Sequence, residues 1–440
     1  MAEHTRQSLL REAEQHLRSR DTRAALINLV ALVRSAPHDL DARMRVADVL
    51  LAGGRLDLAV QCYAAVAVEA AKMGFPLKAA VAMKVLGNFD PETDKLFDAL
   101  ASRYAAGSPA LGRAARLSLP DAGAEVPRGA FPPAMDDGQL AVAAMRLVQS
   151  REGLPEWPTT VAPIPLLSEL PPSAFARMIS AVSLRRIPRG AVLLHQGEAG
   201  DAFYILARGR VRVTRARPDD PASDEELAVL GEGALLGEMA LISAAPRTAT
   251  VTALDDVDAL AFGRESLQAV ARELNVIAAT LERFMRQRLL DHLLRTHPLF
   301  GPFDPAQRVQ LASRFEVIPF APGQAVITEG EEGTGLWVVL SGAVRVFRDA
   351  PGASGASDPI ELAALGPGEI FGEMSLLDEA PTNASVVATA PSTLLLLPRA
   401  IFSRLVSGVP ELRAYFENLA DQRRMDTNLT MSLVPGEVWV

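Results

Sequence analysis

The chain has 440 residues, a formal net charge of -9 and a single cysteine. That length exceeds one ordinary hydrophobic core and predicts about three domains. The acidic balance, with no lysine- and arginine-rich run interleaved with aromatics, argues against non-specific nucleic-acid binding, and no nucleic-acid partner is expected. No apolar run approaches the ~20 residues that span a bilayer, so no membrane partner is expected.

The opening stretch "MAEHTRQSLLREAEQHL" is charged and helical, with no apolar segment ahead of a small-residue cleavage site, so no secretory signal is expected. Cys62 stands alone beside Tyr63, which excludes an internal disulfide or a cysteine-rich zinc site; it reads as a small buried hydrophobe. His292 and His297 are the only histidines close together, and no cysteine or His-Glu pattern joins them at metal spacing. A cytoplasmic protein with no metal and no cofactor is the expectation. The sequence has no GxSxG elbow, no GxxxxGK[ST] loop and no HExxH, so no enzyme is expected.

Residues 1–106 read as helices. Ala13, Leu17, Ala25 and Leu29 recur 34 positions later as Ala47, Leu51, Ala59 and Tyr63, with Gly54 between the two helices of the second unit. Small residues at that period suit helices that cross closely, and the pattern resembles the tetratricopeptide family over residues 6–73. A third unit from Gly74 loses register, with Thr93 where alanine is expected, so helices further on would cap the stack. The alternative is any helical hairpin with an alanine-rich seam. This region is expected to hold a protein partner.

Residues 107–164 are crowded with prolines ("LSLPDAGAEVPRGAFPPAMDD", "GLPEWPTTVAPIP") and read as a linker with one helical island, "DGQLAVAAMRLVQS". Arg116, two residues before Ser118, resembles a kinase pseudosubstrate but lacks the adjacent second arginine; a solvated linker is the expectation.

Beyond Pro165 the period becomes that of strands. Val211 and Val213 alternate with Arg210 and Arg212; Ala249, Val251 and Ala253 alternate with Thr250 and Thr252. Gly190, Gly197 and Gly209 return 133 residues later as Gly323, Gly330 and Gly342. "GEMALISAAPRTATV" at 237–251 returns 135 residues later as "GEMSLLDEAPTNASV" at 372–386, because the loop "DAPGASGASDPIEL" is two residues longer. A β-domain has been duplicated, as 165–296 and 297–424, leaving a tail at 425–440. The expected fold is a multidomain α + β chain: N-terminal helical-hairpin repeats followed by two antiparallel, jelly-roll-like β-rolls with flanking helices.

The glycine-punctuated strands and the repeated GEM motif resemble cyclic-nucleotide-binding domains, the β-roll family that includes the protein kinase A regulatory subunit and the catabolite activator protein. The resemblance covers residues 165 to about 424. Physically, Gly237 lets a helical turn start close to a ligand, and the N–H groups of that turn suit a phosphate. Glu238 offers acceptors for a sugar hydroxyl, and Arg247 a fork for phosphate oxygens. The resemblance assigns the same roles: ribose 2′-OH to Glu238 and the cyclic phosphate to Arg247, with Gly237, Met239, Ala240 and Thr248 completing the first site. A hydroxyl such as Thr248 is associated in the family with tolerance of guanine. A roll that kept this sequence for packing alone would not explain Glu238 and Arg247, since a buried charge pair seldom outperforms apolar packing.

The second copy keeps Gly372, Glu373 and Met374, with Ser375, but has Thr382 and Asn383 in place of the arginine and its neighbour. The loss of a charged contact costs roughly 1.5–3 kcal/mol, so an anion should bind poorly there. Either this copy has decayed into a structural or dimerising module, or it takes an uncharged purine nucleoside. The second option rests on its likeness to the variant cassettes of kinetoplastid kinase regulatory subunits. The expectation is a sensor whose first domain binds cAMP or cGMP, closes helices 264–296 over the base and signals to a protein partner. The rival is a scaffold that uses helices and rolls for assembly and binds no small molecule. The stretch after the second roll is too short for a winged helix, which argues against a transcription factor.

Overall fold

The computed structural model describes residues 4–90, 93–112, 118–217, 220–237, 249–273, 297–351 and 357–432, together with positions 247, 276, 280 and 290. The chain forms two compact units, 1–281 and 282–440.

The first unit begins with α1 (Arg6–Arg18), α2 (Thr22–Ser35), α3 (Leu40–Ala52), α4 (Leu56–Lys72), α5 (Pro76–Leu86) and α6 (Asp94–Tyr104), each packed on the next. Side chains start several of them. Thr5 and Ser8 form a capping box, and the Asp21 and Asp39 carboxylates accept from the first free N–H groups of α2 and α3. Ala13, Ala25, Ala47 and Ala59 are all buried where the helices cross. Leu17 and Leu51, 34 residues apart, are both half-buried. The turns share the same spacing: Arg20 at φ +63° and Gly54 at φ +73° both take the left-handed region. Thr93 is buried, and its hydroxyl donates to the Asp90 carbonyl rather than packing as an alanine would.

The proline-rich segment lies on these helices. Within it α7 (Asp137–Gln149), capped by an Asp136–Gln139 box, packs on α2, α3 and α4 through Leu140, Ala141, Ala144 and Val148. Arg43, fully buried, donates to the carbonyls of Val148 and Ser150 at 2.9 and 3.0 Å and so closes the helix's C-terminal end. Trp157 is held by the cations of Lys72 and Arg151, 4.0 and 3.9 Å from its ring, and donates to Glu69. Arg116 lies outside the described residues.

After α8 (Pro172–Ala181) come β1 (Ser183–Ile187), β2 (Val192–Leu194), β3 (Ala202–Arg208), β4 (Val211–Arg217), β5 (Asp220–Leu230), β6 (Leu235–Leu236), β7 (Thr250–Ala253) and β8 (Val257–Gly263), then α9 (Arg264–Glu273). They form two antiparallel four-stranded sheets, β1-β8-β3-β6 and β2-β7-β4-β5. A core that includes Leu206, Val211, Leu236 and Val251 fills the roll.

The second unit repeats this plan. It holds α10 (Pro305–Ala312), β9 (Glu316–Phe320), β10 (Ala325–Ile327), β11 (Gly335–Ser341), β12 (Val344–Pro351), β13 (Ser357–Leu365), β14 (Ile370–Phe371), α11 (Glu373–Leu377), β15 (Ser385–Ala388) and β16 (Ser392–Pro398). The helices α12 (Arg399–Gly408) and α13 (Pro410–Ser432) follow, and α13 runs on past residue 424. Its sheets, β9-β16-β11-β14 and β10-β15-β12-β13, have the order of the first pair shifted by eight strands. The glycine repeat has a steric cause. Gly209 and Gly342 sit at φ +83° and +87°, and a Cβ at either would fall 2.7 or 2.6 Å from a backbone oxygen.

The helices and the first roll meet across a buried ionic seam. Arg208 pairs with Asp258 at 2.8 Å, and Arg186 reaches Asp258 at 3.5 Å and Asp48 of α3 at 2.7 Å. Tyr63 donates to Asp48 at 2.5 Å, while Arg45 joins Asp48, Glu14 and Asp256. Burial would raise the Asp258 carboxyl, but the charge and hydrogen bond of Arg208, with Arg186 and Arg45, hold it down to about 2.

Candidate functional site

The first site begins where β6 ends. Gly237 takes φ +76°, and a Cβ there would fall 2.3 Å from Nη1 of Arg247. Arg247 is buried; its guanidinium donates to the Gly237 carbonyl and, at 2.7 Å, to the Ala202 carbonyl at the start of β3. Its main chain is pinned as well. The Arg247 N–H donates to the Glu198 carbonyl and the Gly197 N–H to the Arg247 carbonyl, both at 2.8 Å. Carbonyl contacts of this kind fix the plane of a guanidinium, whose fork of donors matches the oxygens of an anion. Glu238, Met239, Ala240 and Thr248 lie outside the described residues.

The second site is described throughout. Gly372, at φ +85°, precedes α11, and Gly372, Glu373, Met374, Ser375, Thr382 and Asn383 all line one cavity of about 270 Å³. Thr382 has the same main-chain frame as Arg247: its N–H donates to Glu331 at 2.9 Å and its carbonyl accepts from Gly330 at 2.8 Å. Its hydroxyl points to the Thr328 and Glu331 carbonyls at 2.6 and 3.1 Å, so its one proton is directed at backbone and only lone pairs are left for a ligand. Asn383 is exposed, with its amide 3.8 Å from the Met374 sulfur.

Glu373 is only 1% exposed. Its Oε1 meets Arg423 of α13 at 2.7 Å, and its Oε2, buried, has no hydrogen-bond partner. Arg423 also donates to the Ile370 carbonyl at 2.6 Å, and Arg424 grips Asp378 with two bonds of 2.6 and 2.8 Å. Helix α13 therefore covers the cavity and adds Arg423, Asp426 and Thr427 to its wall.

The same two regions stand out in comparison with known proteins. The cyclic nucleotide-binding domain family matches residues 184–273 and 317–408. The chain carries two cyclic nucleotide-binding domains in tandem. It is 28% identical over 279 residues to a cAMP-dependent protein kinase regulatory subunit of Aspergillus niger, covering 61% of this chain and 64% of that one. A subunit of the same name from Hypocrea atroviridis is 29% identical over 254 residues, with 56% and 51% covered. The chain thus spans about half to two thirds of the length of these relatives. Among solved structures, it resembles the cAMP co-crystal of the regulatory domain of Toxoplasma gondii PKA. That likeness is at 25% identity, covers 57% of this chain and 92% of that one, and has a TM-score of 0.27.

In cyclic nucleotide-binding domain B the sequence motif supplies one wall of the cavity, and α13 supplies the other. Arg423, Asp426 and Thr427 escape sequence reasoning because no motif marks them. The one signal they carry is their i, i+3, i+4 spacing, which sets all three on one face of a helix. In domain A the helix after the roll is described as α9, 264–273, together with single later positions; the remainder of the expected lid, to 296, lies outside the described residues. Among the described residues, no group of three or more His, Cys, Asp or Glu is arranged to hold a metal ion. No described helix is long and apolar enough to cross a membrane.

Proposed function

We propose that the protein is a cytoplasmic, non-enzymatic regulator that senses cAMP or cGMP at domain A and passes the signal to a protein partner. The observation that carries this reading is Arg247. A buried guanidinium held against the Gly237 and Ala202 carbonyls, at the entry to the matched cassette, presents a planar fork of donors that suits the exocyclic phosphate oxygens. Gly237, Glu238, Met239, Ala240 and Thr248 would complete the site. The relatives' name, regulatory subunit, supports a kinase as the class of partner. The tetratricopeptide-like helices are the proposed docking region; because α7 lies on α2, α3 and α4, the partner would meet their other faces.

For domain B, loss of the arginine leaves a choice between a degenerate module and a site for an uncharged purine nucleoside. The unpartnered Oε2 of Glu373 beside a cavity favours the nucleoside, since a buried carboxylate oxygen is stabilised by a hydroxyl donor such as that of ribose. The test is isothermal titration of wild type and Arg247→Ala with cAMP, cGMP and guanosine. One cyclic-nucleotide site per chain, abolished by the substitution, is expected, with guanosine heat retained. A wild type that gives no heat with either cyclic nucleotide would sink this reading and favour the ligand-free scaffold.

A further inference from the structure

We propose that the helical region is a built-in regulator of the domain A site, gripping two elements that flank the cassette so that its state and ligand occupancy are linked. The proposal rests on reading domain A as a ligand site.

The first grip is on the turn before the cassette. Lys78 of α5 is 3% exposed and pairs with Asp41 of α3 at 2.5 Å and with Glu232 at 3.3 Å. Burial alone would make its ammonium less basic; Asp41 and Glu232 more than offset this and keep it charged. The turn that carries Glu232 is fastened to β3 by the Gly233 N–H to Leu206 carbonyl bond at 2.8 Å and the Leu206 N–H to Ala234 carbonyl bond at 2.9 Å. Strand β6 follows at once, and then Gly237, whose carbonyl receives Arg247. A contiguous path of bonded groups therefore runs from α5 to the arginine of the site.

The second grip is on α8, the helix leading into the roll. It packs on both α6 and α9, and α9 is the helix that leaves the roll directly after β8. Lys84 of α5 donates to the Ser180 carbonyl near the end of α8 at 2.8 Å. Between helices α6 and α8 the contact is apolar, with Phe97, Leu100 and Tyr104 buried on one and Phe175, Met178 and Ile179 on the other.

Both grips resist sliding. Separating Lys78 from Asp41 and Glu232 would leave a buried ammonium without the two carboxylates that pair with it, which is strongly unfavourable. A shift of the cassette turn or of α9 must then be shared by the helices. By linkage, a partner that binds the helices in one arrangement changes nucleotide affinity by the same factor that nucleotide changes partner affinity.

The experiment uses the full chain and two substitutions outside the ligand site, Glu232→Gln and Lys84→Met, read by hydrogen–deuterium exchange without ligand and by titration with cAMP and cGMP. Lys84→Met should speed exchange in α9, which packs on α8, and Glu232→Gln should speed it in α3 and at 235–237. Each should change nucleotide affinity at domain A roughly threefold or more. Exchange that rises only in α5 and α8 for Lys84→Met with α9 unchanged, or that stays unchanged at 235–237 for Glu232→Gln, in folded variants, would overturn the proposal. So would unchanged affinity in both. The exchange arm needs no ligand, so failure of the link and failure of domain A to bind nucleotide give separate readings.

Discussion

Domain B should regain affinity for an anionic nucleotide when Thr382 is replaced by arginine. The test belongs in the Arg247→Ala background, so that heat reports the second site alone. The two positions share one main-chain frame, with N–H to carbonyl bonds to Glu198 and Glu331 at 2.8 and 2.9 Å and return bonds from Gly197 and Gly330 at 2.8 Å. Each is 7% exposed. The carbonyls that orient Arg247, those of Ala202 and Gly237, correspond to Gly335 and Gly372 in the repeat. Gly372 keeps its left-handed φ of +85° and has no Cβ to block a guanidinium. The substitution gives up the one hydroxyl proton that Thr382 directs at the Thr328 and Glu331 carbonyls, worth about 1 kcal/mol net, and returns similar bonds from the guanidinium. With a phosphate in place, a charged hydrogen bond contributes about 1.5–3 kcal/mol, or roughly 10- to 150-fold in affinity. Titration with cAMP and cGMP measures this, and guanosine serves as the uncharged control. A folded variant with no gain for the anions, or with an equal gain for guanosine, would refute the assignment of phosphate recognition to this position.

Two further outcomes follow from buried charges. Arg423→Ala removes the cation from a carboxylate that is 1% exposed, and Arg423 itself is about a quarter exposed, so the second unit should lose about 2–3 kcal/mol in urea unfolding. Adding Glu373→Gln should recover part of that loss, and a double variant as unstable as the single would contradict the pairing. In the first unit, Asp258 titrates at about 2 against an ordinary 3.8, so its ionic contribution is complete above about pH 4 and disappears as pH falls through about 2. The difference amounts to about 2 kcal/mol. Acid unfolding of Asp258→Asn should be correspondingly flatter over that window, and an unchanged acid profile would show that other groups control it.

Much of the architecture was legible because it depends on local chemistry. Left-handed glycines are needed wherever a Cβ would strike backbone, so Gly209 and Gly342 mark the same turn in both rolls by their spacing alone. The period of two in β7 and the 34-residue period of the helices likewise follow from which faces are buried. The cassette residues of domain B were readable as a set because they lie close in sequence and converge on one cavity. Long-range placement was not. Arg423 reaches Glu373 across 50 positions, and nothing in the residues around either names the other. The proline-rich segment reads as a solvated strand of chain, yet Arg43 and Trp157 fasten it to the helices through contacts separated by 88 or more residues. The direction of the Thr382 hydroxyl was also hidden, since it depends on carbonyls 51 and 54 positions away. Sequence determines the conformations that residues can adopt and the faces they must bury. Only tertiary structure decides which distant charge ends up beside which carboxylate, because that pairing is selected by the packing of whole elements and not by the residues on either side.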